Sequence, residues 1–186
     1  MKKVKVINTP KALFAALFFG AVTFGYAQEN STANGSVEST QVATSQTNPT
    51  IESLKKQIEA NPNDSEALVK LATAYQDAKD WNNALLTWNK MTTLLPDWAP
   101  AYYSQAYVYQ TMKDDANAKM AYEKYISAVK PEEVAVSKKN LAYAHFFVAY
   151  TLQQTDKEQA KQHITKSLEY DPANEEALKI NEFLNQ

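Results

Sequence analysis

The chain has 186 residues, 45% of them hydrophobic, with a mean hydropathy of −0.49 and no cysteine. That composition suits one or two small domains held together by apolar packing, and it excludes a disulfide framework, a thiol nucleophile and a lipid-anchored lipoprotein. All 19 basic residues are lysines and the acids number 21. Without arginine, the usual bidentate reader of phosphate and guanine, and without a basic excess, nucleic acid is not an expected partner.

Lys2, Lys3, Lys5 and Lys11 precede an apolar run from Ala12 to Phe24, and Gly25-Tyr26-Ala27 follow before Gln28. A basic start, a short apolar core and small residues at a cut predict a secretory signal peptide over residues 1–27, cleaved after Ala27. The run is too short to span a bilayer comfortably, so the expectation is a periplasmic or secreted protein with no membrane span after cleavage. Removing those four lysines leaves 15 bases against 21 acids, a formal charge of −6. Residues 28–49 are mostly Ser, Thr, Asn and Gln without an aromatic, and read as a disordered linker. The last glycine of the chain is Gly35, which argues against glycine-rich phosphate loops further on.

From Thr50 the pattern is helical. Ile51, Leu54 and Ile58 form a single stripe over residues 50–62, ended by Asn61-Pro62. Residues 65–98 then form a 34-residue unit of two helices. Leu68, Leu71, Ala72 and Tyr75 fall on one face of the first; Ala84, Trp88 and Met91 face it from the second, and Pro96 ends it. Ala72 and Ala84 are the small residues that let two helices cross closely. Residues 99–131 repeat the register, with Tyr102, Ala106 and Tyr109 in the first helix, and Ala118, Tyr122 and Tyr125 in the second. Gln105 stands where Leu71 stood and needs a hydrogen-bonding partner if buried.

Residues 132–174 form a third unit with Pro131–Leu141 added to its first helix, which is expected from about Glu132 to Gln154. His145, Val148, Ala149 and Leu152 take its core positions if one turn residue is missing before Asp156. Ala160, Ile164 and Ser167 serve the second helix, ended by Asp171-Pro172. Asp80, Asp114 and Asp156 each stand just before a second helix, where a carboxylate caps free backbone N–H groups, and Gln159 could complete a capping box. Lys79 and Lys113 precede two of these aspartates, where the repeat family that this pattern resembles usually has glycine, which implies slightly strained or differently shaped turns. Residues 175–186 form a last helix with Leu178, Ile180 and Phe183 as its apolar residues.

The 34-residue spacing with alanine at the crossings and proline at the end resembles the tetratricopeptide repeat. The resemblance covers about residues 50–186: strong in the first unit, good in the second, partial in the third. It implies an all-α fold, a short right-handed α-solenoid of about three helix–turn–helix units with single capping helices at both ends. It also implies a concave groove, lined by the first helices, that commonly takes a peptide, a helix or a neighbouring protein.

Enzyme signatures are absent: no G-x-S-x-G, no H-E-x-x-H and no phosphate loop. His145 reads as a packing residue and His163 as a surface residue, and the acid pairs all stand at helix starts, where the helix dipole accounts for them. The chain is therefore expected to be a non-enzymatic scaffold without cofactor or metal. In the family, positions two, five, nine and twelve of each first helix face the groove. Here these are Glu66, Val69, Thr73 and Gln76; Pro100, Tyr103, Tyr107 and Gln110; and Tyr143, Phe146, Tyr150 and Gln153. The chaperone-type clamp of lysine and asparagine is missing, since Val69, Thr73 and Ser104 stand at its positions. Tyr103, Tyr107, Gln110, Tyr143, Phe146, Tyr150 and Gln153 are the candidate partner-binding residues, for a protein or peptide of the cell envelope. Two other outcomes stay open: the rings pack on one another, or they stack on a small ligand or cell-wall glycan. A structural homo-oligomer is the remaining alternative.

Overall fold

The computed structural model describes residues 49–186; the predicted signal peptide and all but the last residue of the polar linker lie outside them. Among the described residues there are eight α-helices, one 3₁₀ turn and no strand. The helices are α1 (Pro49–Ala60), α2 (Ser65–Asp77), α3 (Trp81–Leu94), α4 (Ala99–Thr111), α5 (Asp115–Ala128), α6 (Val134–Leu152), α7 (Lys157–Tyr170) and α8 (Glu175–Leu184). None is long and apolar enough to cross a membrane.

Each helix packs mainly on the next: α2 on α3, α4 on α5 and α6 on α7 within units, and α1 on α2, α3 on α4, α5 on α6 and α7 on α8 between them. This nearest-neighbour order is that of an α-solenoid, so the expected all-α fold is found. Alanine makes the close crossings. Ala72, Ala84, Ala106, Ala118, Ala149 and Ala160 have no exposed surface at all. Trp88, Met91, Tyr122, Ile164 and Ser167 fill the space around them and are also fully buried. The Ser167 hydroxyl donates to the Ala142 carbonyl of the facing helix at 2.8 Å, which is why a polar residue is tolerated there.

Aspartates start the second helices. Asp80, Asp114 and Asp156 each accept the backbone N–H three residues on, and the side-chain amide of that same residue, Asn83, Asn117 or Gln159, donates to the other carboxylate oxygen at 2.6–2.8 Å. Gln159 therefore clasps the capping carboxylate and does not reach back to the backbone as a capping box would.

The turns before Asp80 and Asp114 are left-handed at one residue, with φ of 57° at Lys79 and 60° at Lys113. In both, the aspartate N–H donates to a carbonyl five residues back, on Tyr75 or Tyr109, and the lysine N–H to Gln76 or Gln110. This is the Schellman helix ending, which ordinarily recruits glycine. The third turn has no positive φ: Asp156 N–H donates only four residues back, to Leu152. The turn residue missing from the third unit is thus the left-handed one.

One expectation needs correction. The added segment of the third unit is a 3₁₀ turn, Pro131–Glu133, followed by a 19-residue helix that ends at Leu152, not a continuous helix from Glu132 to Gln154. In α8 the buried residues are Ala177 and Leu184 with Ile180 half-buried, whereas Leu178 and Phe183 are exposed. Spacings of three and four from Ala177 define the inward face of α8, and the larger side chains fall off it. Phe183 instead lies under the Lys157 ammonium, 5.2 Å from the ring centre.

Candidate interaction surface

The candidate residues lie on α4 (Tyr103, Tyr107, Gln110) and α6 (Tyr143, Phe146, Tyr150), with Gln153 capping the end of α6. The structure gathers several of them into one body of rings. Tyr103 meets Tyr122 and Tyr125 edge-on, with ring centres 5.5 and 5.0 Å apart. Tyr143 meets Tyr122 at 5.8 Å and Phe146 at 6.0 Å, and Phe147 closes on Tyr122 at 5.1 Å. Edge-to-face pairs of this kind are worth about 0.5–1.5 kcal/mol each beyond the area they bury. Rings from the first helices therefore pack on rings of the second helix between them, which is the self-packing reading for Tyr103 and Tyr143. Tyr103, Tyr107, Tyr143, Phe146 and Gln153 are all half-buried, and Tyr150 is 45% exposed at the rim against Phe147.

Burial sets the acidity of these phenols. It pushes Tyr125 up to about 12, with Ser137 and Asn140 pulling the other way. It raises Tyr103 and Tyr122 as well, and raises Tyr143 against the hydrogen bond from Gln110. A phenolate cannot be solvated between rings, so these hydroxyls stay protonated.

Two of the three glutamines, Gln76 and Gln110, are engaged inside the fold. Gln76 is buried and its amide oxygen accepts from the Trp88 indole N–H at 2.7 Å. Gln110 accepts from the Tyr122 hydroxyl at 3.0 Å and donates to the Tyr143 hydroxyl at 2.6 Å. In the first two units the glutamine lies twelve residues before the aromatic group it ties down. Val69 is buried as well, whereas Glu66 is exposed and Thr73 half-buried, so half of the first unit's share of the expected groove face is internal. Gln105 has the partner it needs, donating to the Asn89 side chain on α3.

Sequence reasoning missed one contact entirely. His163 is half-buried on α7, not a surface residue, and its Nδ1 lies 3.0 Å from Nδ1 of His145 on α6. Burial lowers both imidazoles, His145 to about 4, with the neighbouring histidine and Lys166 acting in the same direction. Both rings are therefore neutral at neutral pH. Eighteen residues of sequence separation and no shared motif kept the pair out of view.

Residues 66–97 and 99–128 both match the tetratricopeptide-repeat family. These two segments are tetratricopeptide repeats. Solved structures agree on the fold. The C-terminal part of a TPR repeat-containing protein from Cytophaga hutchinsonii is 27% identical, with a TM-score of 0.61, over 70% of this chain and 52% of that one. MamA from Desulfovibrio magneticus RS-1 is 20% identical, with a TM-score of 0.55, over 73% and 72%. The N-terminal domain of stress-induced protein-1 from C. elegans is 23% identical, with a TM-score of 0.52, over 75% and 99%. No curated protein matches the chain.

Proposed function

We propose that this tetratricopeptide-repeat chain is an exported, non-enzymatic adaptor that captures a protein segment on the aromatic face of α4 and α6. The observation that carries the proposal is the division of labour among the rings. Tyr122 and Tyr125 are buried and hold Tyr103 and Tyr143 by ring packing, with Gln110 bonded to Tyr122 and Tyr143, whereas Tyr150 stands 45% exposed at the rim with the half-buried Tyr107 and Phe146 on the same two helices. Rigid aromatic side chains of this kind bind at low entropic cost and are enriched at interface hot spots. Export rests on the basic and apolar pattern of residues 1–27, and the envelope is accordingly where the partner is sought.

Alanine at Tyr107, Phe146 and Tyr150 tests the reading. A hot-spot ring such as Tyr150 should contribute about 2 kcal/mol or more of binding, while the helical signal and melting temperature stay close to those of the parent. The assay is capture of a partner from an extract of the cell envelope by the parent chain and the triple variant. Undiminished capture by a folded variant would remove the aromatic face from the function.

A further inference from the structure

The two histidines of the chain face each other across α6 and α7. Their Nδ1 atoms are 3.0 Å apart, their ring centres 5.1 Å apart and their planes inclined by 43°. At that distance one Nδ1 carries the hydrogen and the other accepts it, so both nitrogens point at a common centre. Both rings also line an open cavity of about 590 Å³, with Glu158, Gln162 and Lys166 among its walls.

We propose that His145 and His163 form a chelating site for a late first-row divalent ion of the copper(II), nickel(II) and zinc(II) class, bound through both Nδ1 atoms. Metal–imidazole bonds of about 2.0–2.1 Å put two ligand nitrogens about 2.9 Å apart at a right angle and about 3.3 Å apart at the tetrahedral angle. The observed 3.0 Å lies between those values, so the ion needs only a small movement of the rings. It takes the place of the bridging hydrogen, which moves from Nδ1 to Nε2 of the same ring; both imidazoles stay neutral and no proton leaves the protein. Imidazole is the ligand that this group of ions prefers. The surrounding charge is balanced: Glu158, Glu123 and Glu169 stand against Lys161, Lys119 and Lys166. Among the described residues no group of three or more His, Cys, Asp or Glu could hold a metal ion. Beyond the two imidazoles, the coordination sphere is therefore left to water and to ligands entering from the cavity. By helical spacing His145 lies about 200° around α6 from Tyr143 and about 100° from Phe146.

The test is titration of the full, untagged chain with copper(II), nickel(II) and zinc(II) salts by calorimetry, with electron paramagnetic resonance of the copper form. One equivalent should bind, and the copper spectrum should show coupling to two imidazole nitrogens. No other histidine can supply them. His145→Gln and His163→Gln should each weaken binding about tenfold or more, and the circular dichroism of each variant checks that it folds. Absence of binding, or a copper spectrum without imidazole nitrogens, would overturn the assignment whatever the variants do. So would undiminished affinity in two folded variants.

Discussion

Lys79 and Lys113 hold a backbone conformation in which Cβ crowds the carbonyl oxygen, at a cost of roughly 1–2 kcal/mol for a residue with a side chain. The Schellman hydrogen bonds to Tyr75, Gln76, Tyr109 and Gln110 hold them there, because releasing the turn would strand those carbonyls at the helix ends. Lys79→Gly and Lys113→Gly should therefore each stabilise the protein by up to about 1 kcal/mol, part of the relief being offset by the entropy that glycine adds to the unfolded chain. Thermal melting measures this directly, and Gln154→Gly is the control, since no residue of the third turn has positive φ. If the lysine variants melted at or below the parent temperature, the strain argument would fail. That strain was legible in the sequence, because lysine stood where the repeat places glycine. The histidine pair was not, because nothing along the chain marks which side chains of α6 and α7 meet.

Helix pairing rests on alanine. Ala72 and Ala84 are fully buried where α2 crosses α3, and a larger side chain there must push the helices apart or force strained rotamers. Ala72→Leu or Ala84→Leu should destabilise by about 1–3 kcal/mol, read as a lower urea midpoint with the slope unchanged. An unchanged midpoint would mean that the crossing lies elsewhere. The 3.6-residue period and the recurring small residues made the helix pairs readable from the sequence. Periodicity says less where apolar residues surround a helix. In α8 the fold buries Ala177 and Leu184 and leaves the larger Leu178 and Phe183 exposed. In α4 and α6 periodicity identified which residues share a face, but not that Gln110 and Tyr122 would draw Tyr143 inward. That outcome depends on side-chain partners from a different helix.

The ring network joins the second and third units, so its protonation state bears on the whole molecule. Unfolded phenols ionise near pH 10, whereas burial raises Tyr125 to about 12 and raises Tyr103, Tyr122 and Tyr143 as well. Above pH 10 the unfolded chain has lost protons that the folded chain retains, so stability is fully present below pH 10 and falls as the pH rises toward 12. Thermal midpoints should stay level from pH 7 to about 9 and drop steeply beyond 10. Tyrosinate absorbance from Tyr103, Tyr122, Tyr125 and Tyr143 should appear only together with unfolding. A single phase near pH 10 with the helical signal intact would contradict this account.

The two left-handed lysines also bear on ancestry. Features that help a fold can arise independently in each unit, because the same geometry selects the same residue. An unfavourable residue has no such excuse. Lys79 and Lys113 share a costly choice at positions 34 residues apart, each followed by a capping aspartate and preceded by a glutamine that ties an aromatic group twelve residues on. This combination points to duplication of one ancestral segment that already carried the lysine. The third unit, whose turn lacks the left-handed residue, either diverged before that copying or escaped the strain by deletion.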